Sequence, residues 1–428
     1  MDTVPIISVT GTKGKTTTVA IINDILLSLG KNVLKVDTTG HFVNSKRKST
    51  LDDSKNTWHL VPSVCPGRYL WEFFKNPKLC ENGVAVLECS LGSSAISGLG
   101  YRYHDVGVFL NVFEDHIGSS DRIQSKDDIV AAKSFIFSRL QKEKSYAVFN
   151  ADDPFVVKAL KNIPPIASEG AVLIPVGLTF EAYGIAKHLE DGGVVITIND
   201  KKQAIIKSKL GDIVIADLKT IPWTFDGEFT PSVWNILSAI GAIYGYFGGQ
   251  LPDGFREAVE KVRLDQYGGR LTLLRANDSV TIIADYAHEK VSLSSVADLA
   301  RTKLGKGGKL IGIVRLAHDR TDELIIETGK IIAKKYDSLV VYDKIDGHFR
   351  QANIFIGRFP QIEGRTSQVL ADAIKSVNPL VTRIVREDEA IAYARKIAKP
   401  GDVVVFIVND DIERSINFIK DTFQAEFI

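Results

Sequence analysis

Short β-branched runs alternate with segments of helical period along most of the chain. Pro5–Thr10 (PIISVT) reads as a strand, and in Thr16–Leu29 the residues Val19, Ile22, Leu26 and Leu29 recur at helical spacing before Gly30 and Lys31 supply a stop. Further strands are expected at Asn32–Val36, Gly83–Leu87, Val106–Val112 and Tyr146–Phe149. Strands alternating with helices predict a mostly parallel sheet covered on both faces. Val172–Trp223 differs: its short alternating runs (VVITI, AIIKS, IVIADL), broken by Asp-Gly-Gly and Asn-Asp, predict a small antiparallel appendage to that sheet. Near Tyr267-Gly268-Gly269-Arg270 the alternation pauses, then resumes with strands near Val280–Asp285, Lys309–Val314, Ser338–Tyr342 and Asp402–Val408. Helices are expected between them, at Thr321–Lys335 and Asp388–Ala398 among others. The expected architecture is α/β: residues 1–266 as a phosphate-loop domain with its appendage, and residues 267–428 as a smaller Rossmann-like α/β domain.

Composition narrows the picture. A chain of 428 residues exceeds one ordinary domain. Its 53 basic and 52 acidic residues leave a net charge of +1, which removes the usual electrostatic case for a nucleic-acid binder. Apolar residues at 45% and charged residues at 25% allow large cores. Cys65, Cys80 and Cys89 form no CxxC pair, no run approaches 18 consecutive apolar residues, and no basic leader precedes the first strand. A cytoplasmic protein that neither crosses nor binds a membrane is expected; oligomeric state leaves no trace in the sequence.

The strongest chemical signal is Gly11-Thr12-Lys13-Gly14-Lys15-Thr16-Thr17, set between an apolar strand and an amphipathic helix. A glycine loop entering a helix turns backbone N–H groups toward phosphate oxygens, and the helix terminus adds partial positive charge. Lys15 is placed to neutralise the β- and γ-phosphates, and Thr16 to ligate Mg²⁺. The Walker pattern asks for glycine where this chain has Val9, so the loop is a shortened GxxGKT variant. Ligands of open parallel sheets gather at the carboxyl ends of strands, where Glu88 and Glu114-Asp115-His116 close two apolar runs. A carboxylate and an imidazole there are candidate ligands of a second divalent ion. Ser125-Lys-Asp-Asp128 is a capping box opening a helix that carries Lys133, by default a solvated surface group.

These segments, with VDTTGHFVN (Val36–Asn44), AVLECSLGSSAISGLGYRYHDVGVFLNVFEDHIG (Ala85–Gly118), AAKSFIF (Ala131–Phe137), VFNADDP (Val148–Pro154), WNILSAIGA (Trp234–Ala242), YGGR (Tyr267–Arg270), DYAH (Asp285–His288), HDRTDE (His318–Glu323) and KPGDVVVFIVND (Lys399–Asp410), resemble the Mur ligase family of ATP-dependent amide-bond ligases over nearly the whole chain. The branch they resemble in particular is the Mur-like module of cyanophycin synthetase. The resemblance implies that Gly11, Gly14, Lys15 and Thr16 hold the ATP phosphates and a first Mg²⁺, with Thr12, Lys13 and Thr17 completing the loop. It implies that Glu88 and His116 bind a second Mg²⁺, with Lys133 carried as a carbamate beside it. Asn235 matches the adenine-contacting asparagine, and Arg270 and Asp285 match positions where the C-terminal domain closes over the nucleotide. The implied reaction phosphorylates a substrate carboxylate and passes the acyl group to an amine, with ADP and phosphate released. The substrates are expected to be a small-molecule or short-peptide carboxylate and an amine.

Three features depart from the pattern. With the loop beginning at residue 11, neither a nucleotide-sugar-binding domain ahead of it nor an ATP-grasp half is expected, and Glu289-Lys290 follows DYAH where the family has Asn-Pro. Two alternatives stand beside the leading reading: a ligase of the folylpolyglutamate or poly-γ-glutamate kind, and a nucleotide-binding scaffold without ligase chemistry. Arg320 divides evenly between substrate or phosphate contact and a structural ion pair, and His288 is a candidate base with structural placement favoured. Trp58, Trp71, Trp223 and Trp234 are expected in packing, Cys89 as a buried thiol, and Lys303–Lys309 as a solvated basic loop.

Overall fold

The computed structural model describes residues 4–48, 62–93, 97–114, 117–118, 121–140, 144–165, 170–263, 268–318, 320–344, 362–409 and 411–428. His116, Trp58 and Tyr267 of the sequence expectations lie outside the described residues. The chain divides into two compact units, Met1–Phe113 with Ser125–Arg263, and Glu114–Gln124 with Leu264–Ile428. The short segment Glu114–Gln124 therefore packs with residues far along the chain, which no local pattern announces.

The first unit is built on an 11-stranded sheet. Its strands are β1 Ile6–Thr10, β2 Asn32–Asp37, β3 Gly40–Val43, β4 Lys46–Arg47, β5 Gly83–Glu88, β6 Val106–Phe109, β7 Ser145–Asn150, β8 Ala171–Val176, β9 Val194–Ile198, β10 Gln203–Ser208 and β11 Gly211–Asp217. They lie in the order β11-β10-β9-β8-β7-β6-β1-β5-β2-β3-β4. From β2 across to β9 every pairing is parallel, while β9-β10-β11 and β2-β3-β4 turn antiparallel. The appendage thus exists, but its first strand, β8, joins the parallel core, because the run Ala171–Val176 pairs along its length with Ser145–Asn150. The hairpin β3-β4 escapes a sequence reading because its strands have only four and two residues.

The central strands are buried on both faces, which is why they read as continuous apolar runs. The helix Lys15–Ser28 packs over β2 and β5 with Val19, Ile22, Ile25 and Leu26 fully buried, and Thr230–Tyr246 lies beside it over β6, β7 and β8. The chain leaves β1 for β2, returns to fill β5 between them, and crosses to β6 on the other side. The carboxyl ends of β5, β1 and β6 are therefore adjacent, at the point where the strand order reverses.

The second unit carries β12 Thr272–Ala276, β13 Thr281–Asp285, β14 Leu310–Val314, β15 Ser338–Val341, β16 Val381–Arg383, β17 Val403–Ile407 and β18 Ala425–Phe427, ordered β16-β15-β14-β17-β13-β12-β18. From β16 to β13 the pairing is parallel, and β12 and β18 add an antiparallel edge. Glu289-Lys290 opens the helix Lys290–Arg301 here. Glu289, nearly buried, caps it by accepting from the N–H groups of Val291 at 2.7 Å and Ser292 at 2.6 Å. Lys290 bridges Glu114 at 2.6 Å and Glu327 at 2.8 Å. Burial draws its pKa down, but the two carboxylates outweigh that and raise it. The charged pair is accommodated as a cap and a surface ion bridge.

Trp223 is 8% exposed and packed as expected, whereas Trp71 is 39% exposed with Lys75 over its ring. His104 is fully buried in the first unit, its Nε2 2.8 Å from the Ile136 carbonyl.

Two outcomes follow. Glu289→Ala should destabilise the second unit by about 0.5–2 kcal/mol through loss of the cap, while Lys290→Ala should cost less than about 1 kcal/mol because its bridges are solvent-screened; urea unfolding of the two variants measures the contrast. Burial pulls His104 from its ordinary 6.5 to about 4, the Ile136 carbonyl offsetting part of it. The unfolded chain then binds more protons between those values, so this contribution is full above pH 6.5 and is lost on acidification toward pH 4. His104→Gln should remove about 3 kcal/mol of that acid sensitivity, read from unfolding free energies of both proteins across the window.

Candidate functional site at the carboxyl ends of β5, β1 and β6

The loop after β1 is built by backbone geometry. Gly14 sits at φ 83 and ψ −8 as the cap of Lys15–Ser28. A Cβ there would lie 2.3 Å from Asn235 Oδ1, and one on Gly11 would lie 2.9 Å from Leu110 Cβ. Both positions thus require glycine, for conformation and for space. The first intrahelical bond runs from Thr18 N to Gly14 O at 2.8 Å, so the amides of Lys15, Thr16 and Thr17 precede the ladder. Gly14, as the cap residue, offers them no side chain. Lys15 folds back, its Nζ donating to Thr12 O at 3.0 Å.

Asn111, just past β6, fastens the other half of the loop. Its Oδ1 accepts from Thr12 N at 3.1 Å and Lys13 N at 2.8 Å, and its Nδ2 donates to Lys13 O at 3.1 Å. Its carbonyl also accepts from Thr12 N at 3.0 Å, and Thr12 Oγ1 accepts from Phe113 N. The amides of Thr12 and Lys13 are therefore engaged within the protein. Asn111 fastens the loop, and the sequence reading passed over it inside Val-Gly-Val-Phe-Leu-Asn. A polar side chain one position beyond the last apolar pair of a strand was the available signal.

On the opposite flank Glu88 ends β5 at 2% exposure. Its Oε2 accepts from Thr16 Oγ1 at 2.9 Å and from Thr38 N at 3.2 Å, and its Oε1 accepts from Thr38 Oγ1 at 2.9 Å. Lys133 is no solvated group: it is 3% exposed, with Nζ 3.5 Å from Thr10 Oγ1 at the end of β1. Thr10 in turn donates to the Cys89 carbonyl at 2.9 Å. Ser125 caps the helix Lys126–Lys133 as the capping box predicts, accepting from Asp128 N. Burial pushes the Cys89 thiol up to about 12; the Tyr101 hydroxyl lowers it, Glu88 raises it and Lys133 lowers it.

Asn235, on Thr230–Tyr246, accepts from Thr18 Oγ1 at 3.3 Å and stands over Gly14. Thr17 is buried in the first turn. The structure thus gathers Gly11 through Thr17, Glu88, Lys133 and Asn235 in the first unit. Among the described residues no three His, Cys, Asp or Glu side chains form a metal-holding group, and His116 falls outside those residues.

In the second unit Asp285 ends β13 and accepts from Leu271 N at 2.9 Å and Ala287 N at 2.7 Å. Arg270 and Arg315 lie 4.8 Å and 4.7 Å from the Tyr286 ring centroid, each as a cation over an aromatic face. Arg320 is 2% exposed and lines a small cavity with Glu114, His288 and Lys290. The His288 Nδ1 lies 2.9 Å from the Tyr286 carbonyl, which fixes the ring. The Lys303–Lys309 loop is largely exposed.

Two family models match the chain: the Mur ligase middle domain over residues 9–210, and the Mur ligase glutamate ligase domain over residues 269–407. The chain is 28% identical over 424 residues to a cyanophycin synthetase of Nostoc sp., covering 97% of this chain and 42% of that protein. It therefore spans less than half the length of that relative. It is 27% identical over 409 residues to the UDP-N-acetylmuramoyl-L-alanyl-D-glutamate--2,6-diaminopimelate ligase of Syntrophomonas wolfei, covering 94% of this chain and 72% of that one. Its fold is similar to that of Mycobacterium tuberculosis folylpolyglutamate synthase complexed with ADP and AMPPCP, with a TM-score of 0.61 at 15% identity, covering 100% of this chain and 92% of that chain.

Replacing Asn111 by Ala removes three side-chain hydrogen bonds from the loop. Calorimetric titration with ADP should show affinity weakened about tenfold or more, with Asn111→Asp falling between because it keeps the acceptor. An unchanged affinity in Asn111→Ala would contradict the role given to this side chain.

Proposed function

The chain belongs to the Mur ligase family, and we propose that it is an ATP-dependent carboxylate–amine ligase that makes an amide bond through an acyl phosphate. The observation that carries this reading is the pairing of the phosphate-loop hydroxyl Thr16 with the buried carboxylate Glu88 at 2.9 Å. Glu88 is buried at 2% exposure beside the phosphate-loop hydroxyl, and a carboxylate so placed supports its role as a metal ligand.

In the proposed reaction an oxygen of the substrate carboxylate attacks the γ-phosphorus and ADP leaves; the amine nitrogen then attacks the acyl carbon and phosphate leaves. The amides of Lys15, Thr16 and Thr17 receive the phosphates, and Lys15 turns from the Thr12 carbonyl to neutralise them. Thr16 and Glu88, with His116, would hold Mg²⁺, two ions in all, which when bound supplies charge neutralisation on the transferring phosphoryl group. Lys133, at 3% exposure, lies where an ammonium is costly. Carried as a carbamate it would offer oxygen ligands instead. Asn235 is proposed for the adenine, Arg270 and Asp285 for the nucleotide, and Arg320 for phosphate or substrate.

We assign residues 1–266 to ATP binding and residues 267–428 to the C-terminal ligase part. Among the described residues no helix is long and apolar enough to cross a membrane, and a cytoplasmic place fits a consumer of ATP and amino acids. The substrates proposed are an aspartate-type or short acidic peptide carboxylate and an arginine- or lysine-type amine.

Screening amino acids and short acidic peptides for ADP formation, with mass spectrometry of products, tests the reading. A carboxylate–amine pair should raise ADP release, and Lys133→Ala should lower it at least about a hundredfold. Glutamate-dependent elongation of a folate would favour the folylpolyglutamate kind instead. ATP binding with no pair raising turnover, and no effect of Lys133→Ala, would leave a nucleotide-binding scaffold.

A further inference from the structure

We propose that Thr38 is a positioning residue for Glu88, orienting that carboxylate for a metal on the phosphate loop; this rests on Glu88 being a metal ligand. Thr38 is the first residue after β2, and β5 lies between β2 and β1. Glu88, at the end of β5, is therefore held from both sides, by Thr16 beyond β1 and by Thr38 beyond β2. Thr38 addresses both carboxylate oxygens, its N–H reaching Oε2 and its hydroxyl reaching Oε1. Glu88 is 2% exposed, while Thr38 stands at the exposed turn between β2 and β3.

The proton arrangement follows from the acceptor. A carboxylate only accepts, so the single Thr38 hydroxyl proton is committed to Oε1. In the 3.2 Å contact between the Thr38 and Ser63 hydroxyls, Ser63 must then be the donor. Ser63 is 1% exposed and is itself fixed, since its carbonyl accepts from the Ser90 N–H, the Ser90 hydroxyl and the Ser93 hydroxyl. The result is a directed chain, Ser63 to Thr38 to Glu88. When the Thr16 oxygen ligates a metal it can still give its proton to Oε2, but it must follow the metal. Thr38 is the holder that stays with the sheet.

The test uses Mn²⁺ as the probe on the full chain with saturating ADP, followed by electron paramagnetic resonance, and ADP affinity in EDTA as a control. Thr38→Val keeps the N–H and the shape but loses the hydroxyl; it should weaken Mn²⁺ binding about tenfold or more, while ADP affinity in EDTA stays within about twofold. Thr38→Ser, which retains the donor, should recover Mn²⁺ affinity to within about threefold of the parent. Mn²⁺ affinity unchanged in Thr38→Val, or lost together with metal-free ADP binding, would overturn the proposal. Glu88→Gln separates the premise from the inference. If it leaves Mn²⁺ affinity unchanged, the metal role of Glu88 falls and the Thr38 role with it; if it weakens Mn²⁺ while Thr38→Val does not, only the Thr38 role falls.

Discussion

The 2.9 Å hydrogen bond from Thr16 to Glu88 joins the start of a helix to the end of a different strand, and its surroundings serve to make that meeting possible. It requires β1 and β5 to be neighbours in parallel register, so that their carboxyl ends reach the same edge. It requires a loop short enough to bring Thr16 back over that edge, which a left-handed Gly14 beneath Asn235 permits. It also requires the loop to be steadied from the other flank, where Asn111 beyond β6 takes up the amides of Thr12 and Lys13. The division of labour is physical. The amides of Thr12 and Lys13 are spent on holding the loop, while those of Lys15, Thr16 and Thr17 precede the helical ladder.

Much of this was legible because it is local. An apolar strand, a glycine loop and a helix of clear period follow one another within the first 30 residues. Glu88 stood out as a charge closing a wholly apolar run. What escaped depends on pairings distant in sequence. Asn111 contacts residues 98 and 99 positions away, and Thr38 contacts one 50 positions away. Neither polar residue breaks a periodicity, so neither was singled out as chemistry. Strands β3, β4 and β18 have only four, two and three residues, and their existence is decided by what they pair with.

Lys133 shows where base rates mislead. A lysine at the end of an eight-residue helix is ordinarily solvated, yet this one turns inward toward Thr10. Only the family resemblance singled it out, and the structure buries it at 3% exposure. Glu289 and Lys290 show the reverse. They break the family pattern at a conspicuous place, but the fold absorbs them, one as a helix cap and one as a bridge to two carboxylates.

A crystal structure of the full chain with a non-hydrolysable ATP analogue and Mn²⁺, read by anomalous scattering, addresses the central claim most directly. Phosphate oxygens are expected on the amides of Lys15 through Thr17, with manganese at about 2.0–2.3 Å from Thr16 Oγ1 and from a Glu88 oxygen. A nucleotide bound elsewhere, or a manganese peak on the phosphates with Glu88 still turned to its hydroxyl partners and away from the ion, would contradict it.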